Sequence, residues 1–401
     1  MMTINKLNST KKGEPIFLFF LFLSLFSWSC QSGSKNATTE DGIIKFDISK
    51  NYPKSNKTDA DFIAEIEYVP LETNKDVLVD RYSRLHYISE NYIMVTERGK
   101  GDILVFDRKG KIVVNLSRKG RGPEEYSAMS NVVIDEKNEE IFVFDNIGTG
   151  RVVVYSISNG EYLRSLRYPA EYHLTAYNFD DEAMLVYDRK GLNDNSNSYS
   201  KNPYMLMSKK DGSIISVINI HLSVRYAVRV TEQFTDSSGQ RWEQGQNFSL
   251  PNRRHDGQDF IIADVSSDTI YRLTKNRNLI PFIVRTPSVH ATEPHLVCTP
   301  TLITDKYIFL HVTTLDYVSL LKAKVPPAKS LIYEFETGEI NSTGYKGSDT
   351  NILEKNIDAR MLDMTILKDA YEANHLPEDL AKLVETLDEE DNPAIMIRKL
   401  K

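Results

Sequence analysis

Short apolar runs separated by polar turns dominate the chain, and the stretch Asn91–Tyr126 shows the pattern most clearly. Three runs rich in β-branched and aromatic residues stand in it, at Tyr92–Val95, Ile103–Phe106 and Ile112–Leu116. Gly and Asp lie between the runs, which is typical of strands joined by tight turns. The runs do not alternate between apolar and polar positions. We therefore expect both faces of these strands to be covered, as in the stacked blades of a propeller.

The same unit of a strand, a polar turn and a second strand recurs along the chain. The last apolar position of each copy is aromatic or Met, and five copies place it at Phe106, Tyr155, Met207, Tyr271 and Tyr333. Asn-Gly and Asp-Gly follow two of the copies, and these pairs suit two-residue hairpins because both central positions take positive φ. The copies recur roughly every 50 to 65 residues, whereas a four-stranded blade takes ~40–50 residues, so we expect lengthened loops in the later blades.

These units predict an all-β fold, a six-bladed β-propeller of four-stranded antiparallel blades. A ring of blades has to close on itself, because an unpaired strand edge would recruit other strands. Apolar strands at both ends of the domain, Phe62–Glu72 and Asn392–Lys401, are expected to pair in one shared blade. An apolar stripe at helical spacing within Pro377–Leu387 predicts a short C-terminal helix inserted in that last blade.

The first 29 residues have the pattern of an export signal. Three Lys precede an uncharged run of 13 residues, Ile16–Trp28, which is shorter than the ~20 residues that a transmembrane helix needs. Ser27 and Ser29 are small residues just before Cys30, a pattern that resembles the cleavage site of bacterial lipoprotein signals. Cleavage there would leave Cys30 as the lipid-bearing first residue. An ordinary secretory signal cut nearby is the alternative.

Three successive regions follow from this interpretation. Residues 1–29 are the signal peptide, residues 30–61 are expected to form a flexible polar tether, and residues 62–401 form the propeller domain. The lipid on Cys30 would hold the domain at a membrane. We expect that membrane to be the outer membrane. The stretch Gln31–Lys35 carries no acidic residue, so we favour its periplasmic face over the cell surface.

The charge and the cysteine content narrow the function classes. The formal net charge is −7 and no basic patch interleaved with aromatic residues stands out, so nucleic acid is not an expected partner. Of the two Cys, Cys30 is assigned to the lipid, which leaves Cys298 without a disulfide partner. Cys298 lies between apolar neighbours and is interpreted as a buried packing residue rather than a nucleophile.

One long polar insertion is the candidate ligand-binding surface. Blade four is predicted at Tyr226–Val284, with an insertion at Thr231–Gln258 that gathers arginines, amides and Trp242. Arginine forks and an aromatic ring suit polar ligands and sugars, because they combine charge-assisted hydrogen bonds with stacking. The candidate residues are Arg225, Tyr226, Arg229, Arg241, Trp242, Arg253, Arg254 and His255. The alternative is an insertion that caps the neighbouring blade, with Trp242 as its buried anchor.

Catalytic and metal-binding patterns are weak by comparison. Three histidines and a glutamate lie near one another in sequence, at His290, Glu293, His295 and His311. Their spacing does not match a zinc site on a defined element. The sequence contains neither a G-x-S-x-G elbow nor a P-loop. No catalytic residue, metal ligand or cofactor is therefore assigned.

Several stretches resemble the six-bladed β-propeller lipoproteins of Bacteroides and related gut bacteria. The matching stretches are Tyr68–Thr73, Phe106–Lys111, Gly120–Tyr126, Asp268–Leu273 and Asp391–Pro393. They are spread over nearly the whole chain after the signal, although Glu124 stands where relatives tend to carry Gly. Blade two also looks like an NHL repeat, with Asp145 and Arg151 where such repeats place structural polar residues. The resemblance implies the fold and an envelope location, and it implies no particular activity.

Two classes of function fit these observations. The first is a non-catalytic binding or scaffold module of the cell envelope, which presents its propeller to a glycan, a peptide or a partner protein. The second is a propeller hydrolase or lyase with a divalent metal in the central channel, which needs carboxylates, Asn or His that converge at the ring axis. We favour the binding module, and the sequence leaves its ligand open.

Overall fold

Six sheets follow one another along the chain, and a two-stranded hairpin is inserted between the third and the fourth. The structure is a computed structural model and describes residues 37–145, 148–192, 200–235, 238–248, 253–255, 259–345 and 356–401. All of these residues belong to the unit Lys35–Lys401. The six sheets are the blades of a β-propeller, so the predicted fold class is confirmed.

The strands are numbered here in chain order. Three of them precede the first complete blade, namely β1 (Ala37–Glu40), β2 (Ile43–Asp47) and, after the short helix α1 (Asp59–Phe62), β3 (Ile63–Pro70). Blade one contains β4 (Arg84–Ile88), β5 (Tyr92–Glu97), β6 (Asp102–Asp107) and β7 (Ile112–Ser117). Blade two contains β8 (Asn131–Asp135), β9 (Glu140–Phe144), β10 (Arg151–Ser156) and β11 (Tyr162–Arg167). Blade three contains β12 (Leu174–Asn178), β13 (Ala183–Asp188), β14 (Tyr204–Ser208) and β15 (Ile214–Val217).

The later blades carry the insertions. The hairpin consists of β16 (Arg229–Thr235) and β17 (Arg241–Asn247), and blade four of β18 (Arg253–His255), β19 (Phe260–Ile262), β20 (Thr269–Leu273) and β21 (Leu279–Thr286). A 3-10 turn (Val289–Ala291) leads to blade five, with β22 (His295–Ile303), β23 (Tyr307–Leu315), α2 (Tyr317–Leu321), β24 (Ala328–Glu334) and β25 (Ile340–Ser342). The last elements are β26 (Ile357–Leu362), α3 (Met364–Glu372), α4 (Glu378–Glu385) and β27 (Ala394–Leu400).

Neighbouring blades share hydrophobic clusters, which is why the strands are apolar on both faces. In β10, Val153 and Tyr155 pack between blades one and two, whereas Val152 and Val154 pack between blades two and three. All four side chains are buried. Similar clusters lie between the other pairs of neighbouring blades. Burial of each such side chain stabilises the fold by ~1.5–3 kcal/mol, so the ring depends on every blade being in place.

The ring closes as predicted, because the C-terminal strand β27 pairs with β3 on one side and with β26 on the other. The side-chain amide of Asn392 donates hydrogen bonds to the carbonyl oxygens of Glu72 and Val77, at 2.7 and 2.9 Å. Gly110 of blade one approaches this seam with φ +81, and a Cβ there would lie 2.0 Å from the Pro70 oxygen. This closing blade shows three described strands, in the order β26-β27-β3, where four were predicted.

The flexible tether was predicted over residues 30–61, of which residues 30–36 lie outside the described part of the chain. Residues 37–58, which precede α1, pack on the propeller, and this corrects the prediction for that part. Strand β2 pairs in parallel with β21 and extends blade four at its outer edge. Phe46 and Ile48 are buried in the cluster between blades four and five. Further on, Lys57 Nζ lies 2.9 Å from a carboxylate oxygen of Glu334 in blade five. We call residues 43–57 the N-terminal strap, since they connect the outer edges of two blades before β3 enters the closing blade.

Two helices interrupt the closing blade. The predicted C-terminal helix is α4, which begins after Pro377 and buries Leu380 and Val384. Helix α3 precedes it and was not predicted, although Asp363 caps its first turn by accepting a hydrogen bond from the Ile366 N–H. Both helices pack against Ala394 at the start of β27. In the part of the chain that the structure describes, no helix has the length and apolarity to cross a membrane.

Candidate functional site

The first strands of neighbouring blades touch around the ring axis, where a propeller has its central channel. A ring nitrogen of His86 in β4 lies 3.0 Å from the Val132 oxygen in β8. The side-chain amide of Asn131 in β8 donates to the Ala176 oxygen in β12 at 3.0 Å. These cross-blade hydrogen bonds fix the relative positions of the three first strands.

A cavity of about 320 Å³ opens between these three strands, and we call it the channel cavity. Its polar lining consists of Arg84, His86, Thr96, Arg98, Ser130, Asn131, Thr175 and Arg189. A second pocket has a smaller volume of about 120 Å³, and we call it the inner pocket. It shares His86, Asn131 and Thr175 with the channel cavity. Tyr177 and Asn178 line the inner pocket further along β12. Together the two spaces form a solvent-open recess between blades one, two and three.

The meander brings residues from distant parts of the sequence to the mouth of this recess. Arg84 begins β4, whereas Arg98 and Arg189 follow the second strands of blades one and three. In an antiparallel blade, the start of the first strand and the connection from the second to the third strand lie at the same edge. All three arginines therefore belong to one face of the propeller, which we call the start face. All three are solvent-exposed.

His86 occupies the wall between the channel cavity and the inner pocket. Burial lowers the pKa of this imidazole, the hydrogen bond to the Val132 oxygen opposes that shift, and the nearby Arg98 charge lowers the pKa further. The ring is therefore neutral at neutral pH. Because a carbonyl oxygen can only accept, Nε2 carries the proton and donates to Val132, which leaves Nδ1 as an acceptor.

The arginines at the mouth are held by backbone carbonyl groups. One guanidinium nitrogen of Arg98 donates to the Ser130 oxygen of blade two. Arg84 donates to the Ser83 and Arg81 oxygens at 2.8 and 3.1 Å. Desolvation lowers the pKa of Arg98, but an arginine remains charged in proteins. The described residues that line the channel cavity include no Asp or Glu, so its mouth is positive.

The sequence-predicted site divides into three groups, and the first of them is Arg225 and Tyr226. Arg225 is buried and donates to the backbone oxygens of Asp188 and Ser200, at 2.6 and 3.1 Å. Those contacts assign it a packing role. The Tyr226 hydroxyl lies 2.9 Å from His290 Nδ1, and the Tyr226 ring centroid lies 4.0 Å from that of His295.

The second group lies on the inserted hairpin. Arg229 begins β16 and its guanidinium lies against Gly245 of the partner strand, where a Cβ would be 2.6 Å from a guanidinium nitrogen. Arg241 begins β17 and is exposed. Trp242 pairs with Phe234 across the hairpin, and its side chain lies outside the described part of the structure. The hairpin packs near α2, since the Tyr317 hydroxyl donates to the Ala227 oxygen at 2.9 Å.

The third group corrects the predicted insertion. Arg253, Arg254 and His255 form β18, the first strand of blade four, rather than the end of the insertion. Their backbone therefore lies at the ring axis, while their side chains fall outside the described residues. The insertion itself is an independent hairpin that precedes blade four. The structure thus distributes the eight predicted residues over a buried anchor, a hairpin and a first strand instead of one surface.

The histidines near blade five do not form a metal cluster. His295 Nδ1 lies 2.8 Å from the Thr292 oxygen, and His295 Nε2 lies 3.5 Å from a carboxylate oxygen of Glu293. Among the residues that the structure describes, no group of three or more His, Cys, Asp or Glu side chains is placed to hold a metal ion.

The fold and the recess define the class of protein, a six-bladed β-propeller with an open cavity at its channel. The model of the family described as "Domain of unknown function (DUF4934)" matches residues 43–399, so the chain belongs to this family. The match begins at Ile43, the first residue of β2, and it therefore includes the N-terminal strap.

One solved structure supports the fold. The chain is similar to a putative exported protein from Bacteroides fragilis, with 15% identity and a TM-score of 0.58 over 88% of this chain and 99% of that chain. It is also similar to a member of the duf4221 family from Bacteroides vulgatus, with 11% identity and a TM-score of 0.40 over 84% and 97% of the two chains. A search of the curated proteins finds no match.

Proposed function

We propose that this chain is a lipid-anchored propeller of the cell envelope that binds a ligand without chemical conversion. The observation that carries the proposal is the channel cavity, a solvent-open recess of about 320 Å³ between three first strands. Rigid strands joined by cross-blade hydrogen bonds hold its polar groups in place. A binding site benefits from such preorganisation, because little conformational entropy is lost when the ligand enters.

The envelope location rests on the N-terminal pattern. Residues 1–29 act as the signal and Cys30 carries the lipid, with the periplasmic face of the outer membrane as the favoured position. The exported character named for the Bacteroides fragilis structure supports export of this chain. The ligand is a glycan, a peptide or a partner protein of the envelope.

The polar lining favours binding over catalysis. A propeller hydrolase or lyase needs carboxylates or His that converge on a metal, or a general acid and base in reach of each other. The described lining of the channel cavity offers arginines, a neutral imidazole, an amide and hydroxyl groups instead. These groups can orient a polar ligand through hydrogen bonds.

The lipid anchor is tested first, by metabolic labelling with a palmitate analogue in the expressing bacterium. The Cys30→Ala variant is expected to lose the label and to leave the membrane fraction, whereas Cys298→Ala keeps both. Equal labelling of wild type and Cys30→Ala would contradict the anchor.

Binding is tested on glycan and peptide arrays with the purified full chain, the double variant Arg84→Gln with Arg98→Gln, and the control Arg121→Gln. Arg121 is exposed and does not line the cavity. We expect selective retention by wild type and by the control, and loss of retention in the double variant. Identical retention by all three chains would remove the channel cavity as the site, and release of a cleaved product would overturn the non-catalytic proposal.

A further inference from the structure

We propose that the channel cavity takes a sugar acid, a small ligand that carries one carboxylate and several hydroxyl groups. This inference rests on the proposed function, since it names the ligand class of that same cavity. Two features of the recess carry it: arginines that are concentrated at the mouth, and hydrogen-bond acceptors that lie further along the first strands.

The mouth is a positive region on an acidic chain. The formal net charge of the chain is −7, yet Arg84, Arg98 and Arg189 meet at one opening. The acidic residues next to two of them in sequence are engaged elsewhere. Glu97 accepts a hydrogen bond from the Gly99 N–H at 3.0 Å, and Asp188 accepts from the His173 N–H at 3.0 Å. Neither of these carboxylates lines the cavity.

A carboxylate fits this opening by geometry as well as by charge. The planar guanidinium presents parallel N–H donors that match the two oxygens of a carboxylate, and such charge-assisted pairs are about twice as strong as neutral hydrogen bonds. In Arg84 and Arg98, the nitrogens that are bonded within the protein contact backbone carbonyl groups, and no described carboxylate forms an ion pair with either of them. Both can therefore serve an anionic ligand.

The inner pocket favours hydroxyl groups on the same ligand. The side-chain oxygen of Asn178 is buried and has no hydrogen-bond partner among the described residues. His86 Nδ1 is a second acceptor, because Nε2 donates to Val132. Buried acceptors are costly unless a donor reaches them, and sugar hydroxyl groups are such donors. A phosphate ion at neutral pH brings mostly acceptors, so the inner wall favours a hydroxylated ligand.

The size of the channel cavity limits the ligand to a small one. A volume of about 320 Å³ lies at the lower end of the ~300–1,000 Å³ found for small-molecule sites. One or two sugar rings fill such a space, with the carboxylate at the arginines and the hydroxyl groups toward His86 and Asn178. Thr175 and Asn131 lie between these two ends of the recess.

The test is isothermal titration calorimetry of the purified full chain with D-glucuronate, D-glucose and inorganic phosphate. Glucose carries a hydroxymethyl group where glucuronate carries the carboxylate, so the difference between the two affinities isolates the contribution of the arginines. We expect binding of glucuronate and at least about ten-fold weaker binding of glucose and phosphate. The double variant Arg84→Gln with Arg98→Gln is expected to bind glucuronate at least about ten-fold more weakly while it remains folded at the temperature of the titration, whereas Arg121→Gln binds like wild type.

A second variant tests the inner wall. Asn178→Leu removes the buried acceptor and is expected to weaken glucuronate binding while phosphate binding stays the same. Equal affinity for glucuronate and glucose, or phosphate binding as strong as that of glucuronate, would overturn the assignment. If glucuronate does not bind but the protein is retained by neutral glycans or peptides on the arrays, only the assignment of a sugar acid is overturned. If no ligand on the arrays retains the protein, the proposed function itself is contradicted.

Discussion

Lys209 Nζ lies 2.5 Å from Asp135 Oδ2, and both side chains are buried between blades two and three. Asp135 ends the first strand of blade two, and Lys209 follows the third strand of blade three. The Asp135 carboxylate also accepts a hydrogen bond from the Asn138 side chain at 2.7 Å. The pair therefore joins two blades by a buried charge contact.

Removal of one partner from this pair should destabilise the propeller strongly. Lys209→Met leaves a buried, uncompensated carboxylate, so we expect the free energy of unfolding to fall by ~3–5 kcal/mol. The double variant Lys209→Met with Asp135→Leu should recover most of that loss, because an apolar pair needs no compensation. Urea unfolding of the single and double variants measures both values. A single variant as stable as wild type would show that the pair does not hold the blades together.

The pair Asp180–Arg277 predicts a pH dependence. Burial raises the pKa of Asp180, but hydrogen bonds from Arg277 and from the Glu182 and Ala183 N–H groups outweigh it and lower the pKa below 3.8. A carboxyl with a lowered pKa in the folded state contributes stability above its unfolded pKa and loses it as the pH falls through the folded value. Arg277→Gln should therefore lower the free energy of unfolding at neutral pH. The loss should be only ~0.5–1 kcal/mol, because the pair is partly exposed.

The difference in stability between Arg277→Gln and wild type should shrink at acidic pH, as the pH falls through the lowered pKa of Asp180 and its carboxyl becomes protonated in both chains. Urea unfolding of both chains at neutral and at acidic pH measures this difference in the free energy of unfolding. The matched control is Lys137→Gln, which breaks an ion pair with Asp181 in which both side chains are largely exposed, and it should change stability little. A difference that stays constant at acidic pH would contradict the pKa direction.

The N-terminal strap should contribute to the stability of the propeller. Phe46 is buried between blades four and five, so Phe46→Ala should lower the free energy of unfolding by ~3 kcal/mol and lower the melting temperature. Lys50 is exposed in the same segment, and Lys50→Ala should leave the melting temperature unchanged. Equal melting of Phe46→Ala and wild type is the result that a flexible tether would give.

Cys298 should be inert in the folded protein. Burial raises the pKa of its thiol to about 12, although the nearby Arg285 and Lys329 charges oppose the shift. At mildly alkaline pH the thiol is protonated and enclosed, so a disulfide reagent should react with it only after unfolding. The measurement uses a Cys30→Ser chain, in which Cys298 is the remaining thiol, with and without denaturant. Rapid labelling of the native chain would show that the thiol is accessible.

The propeller could be predicted because its packing leaves a direct trace in the sequence. Val152 and Tyr155 face different neighbouring blades, so the strand between them is apolar throughout. The closing strand could be predicted for a similar reason, since Ile395 and Ile397 are both buried. The strap was missed because its surroundings are rich in Ser, Asn and Lys, although Ile44, Phe46 and Ile48 alternate as an edge strand does.

The channel cavity could not be predicted from the sequence. Arg84, Arg98 and Arg189 lie in separate parts of the sequence, and only the meander brings them to one face. The candidate residues chosen from the sequence illustrate the converse. Arg225 and Arg241 lie close in sequence, yet one is buried as an anchor and the other is exposed on a hairpin. Arginines that lie close together in the sequence form a binding surface only when the backbone directs their side chains to the same face.

Hydrogen–deuterium exchange of the full chain with and without D-glucuronate tests most directly where the propeller binds. We expect slower exchange of backbone amides in residues 98–101 and 189–192 and at the start of β8, because a ligand in the channel cavity covers these positions. The outer strands β7, β11 and β15 should exchange at the same rate in both states. Protection confined to the hairpin of β16 and β17, or no protection at any of these positions, would contradict the account.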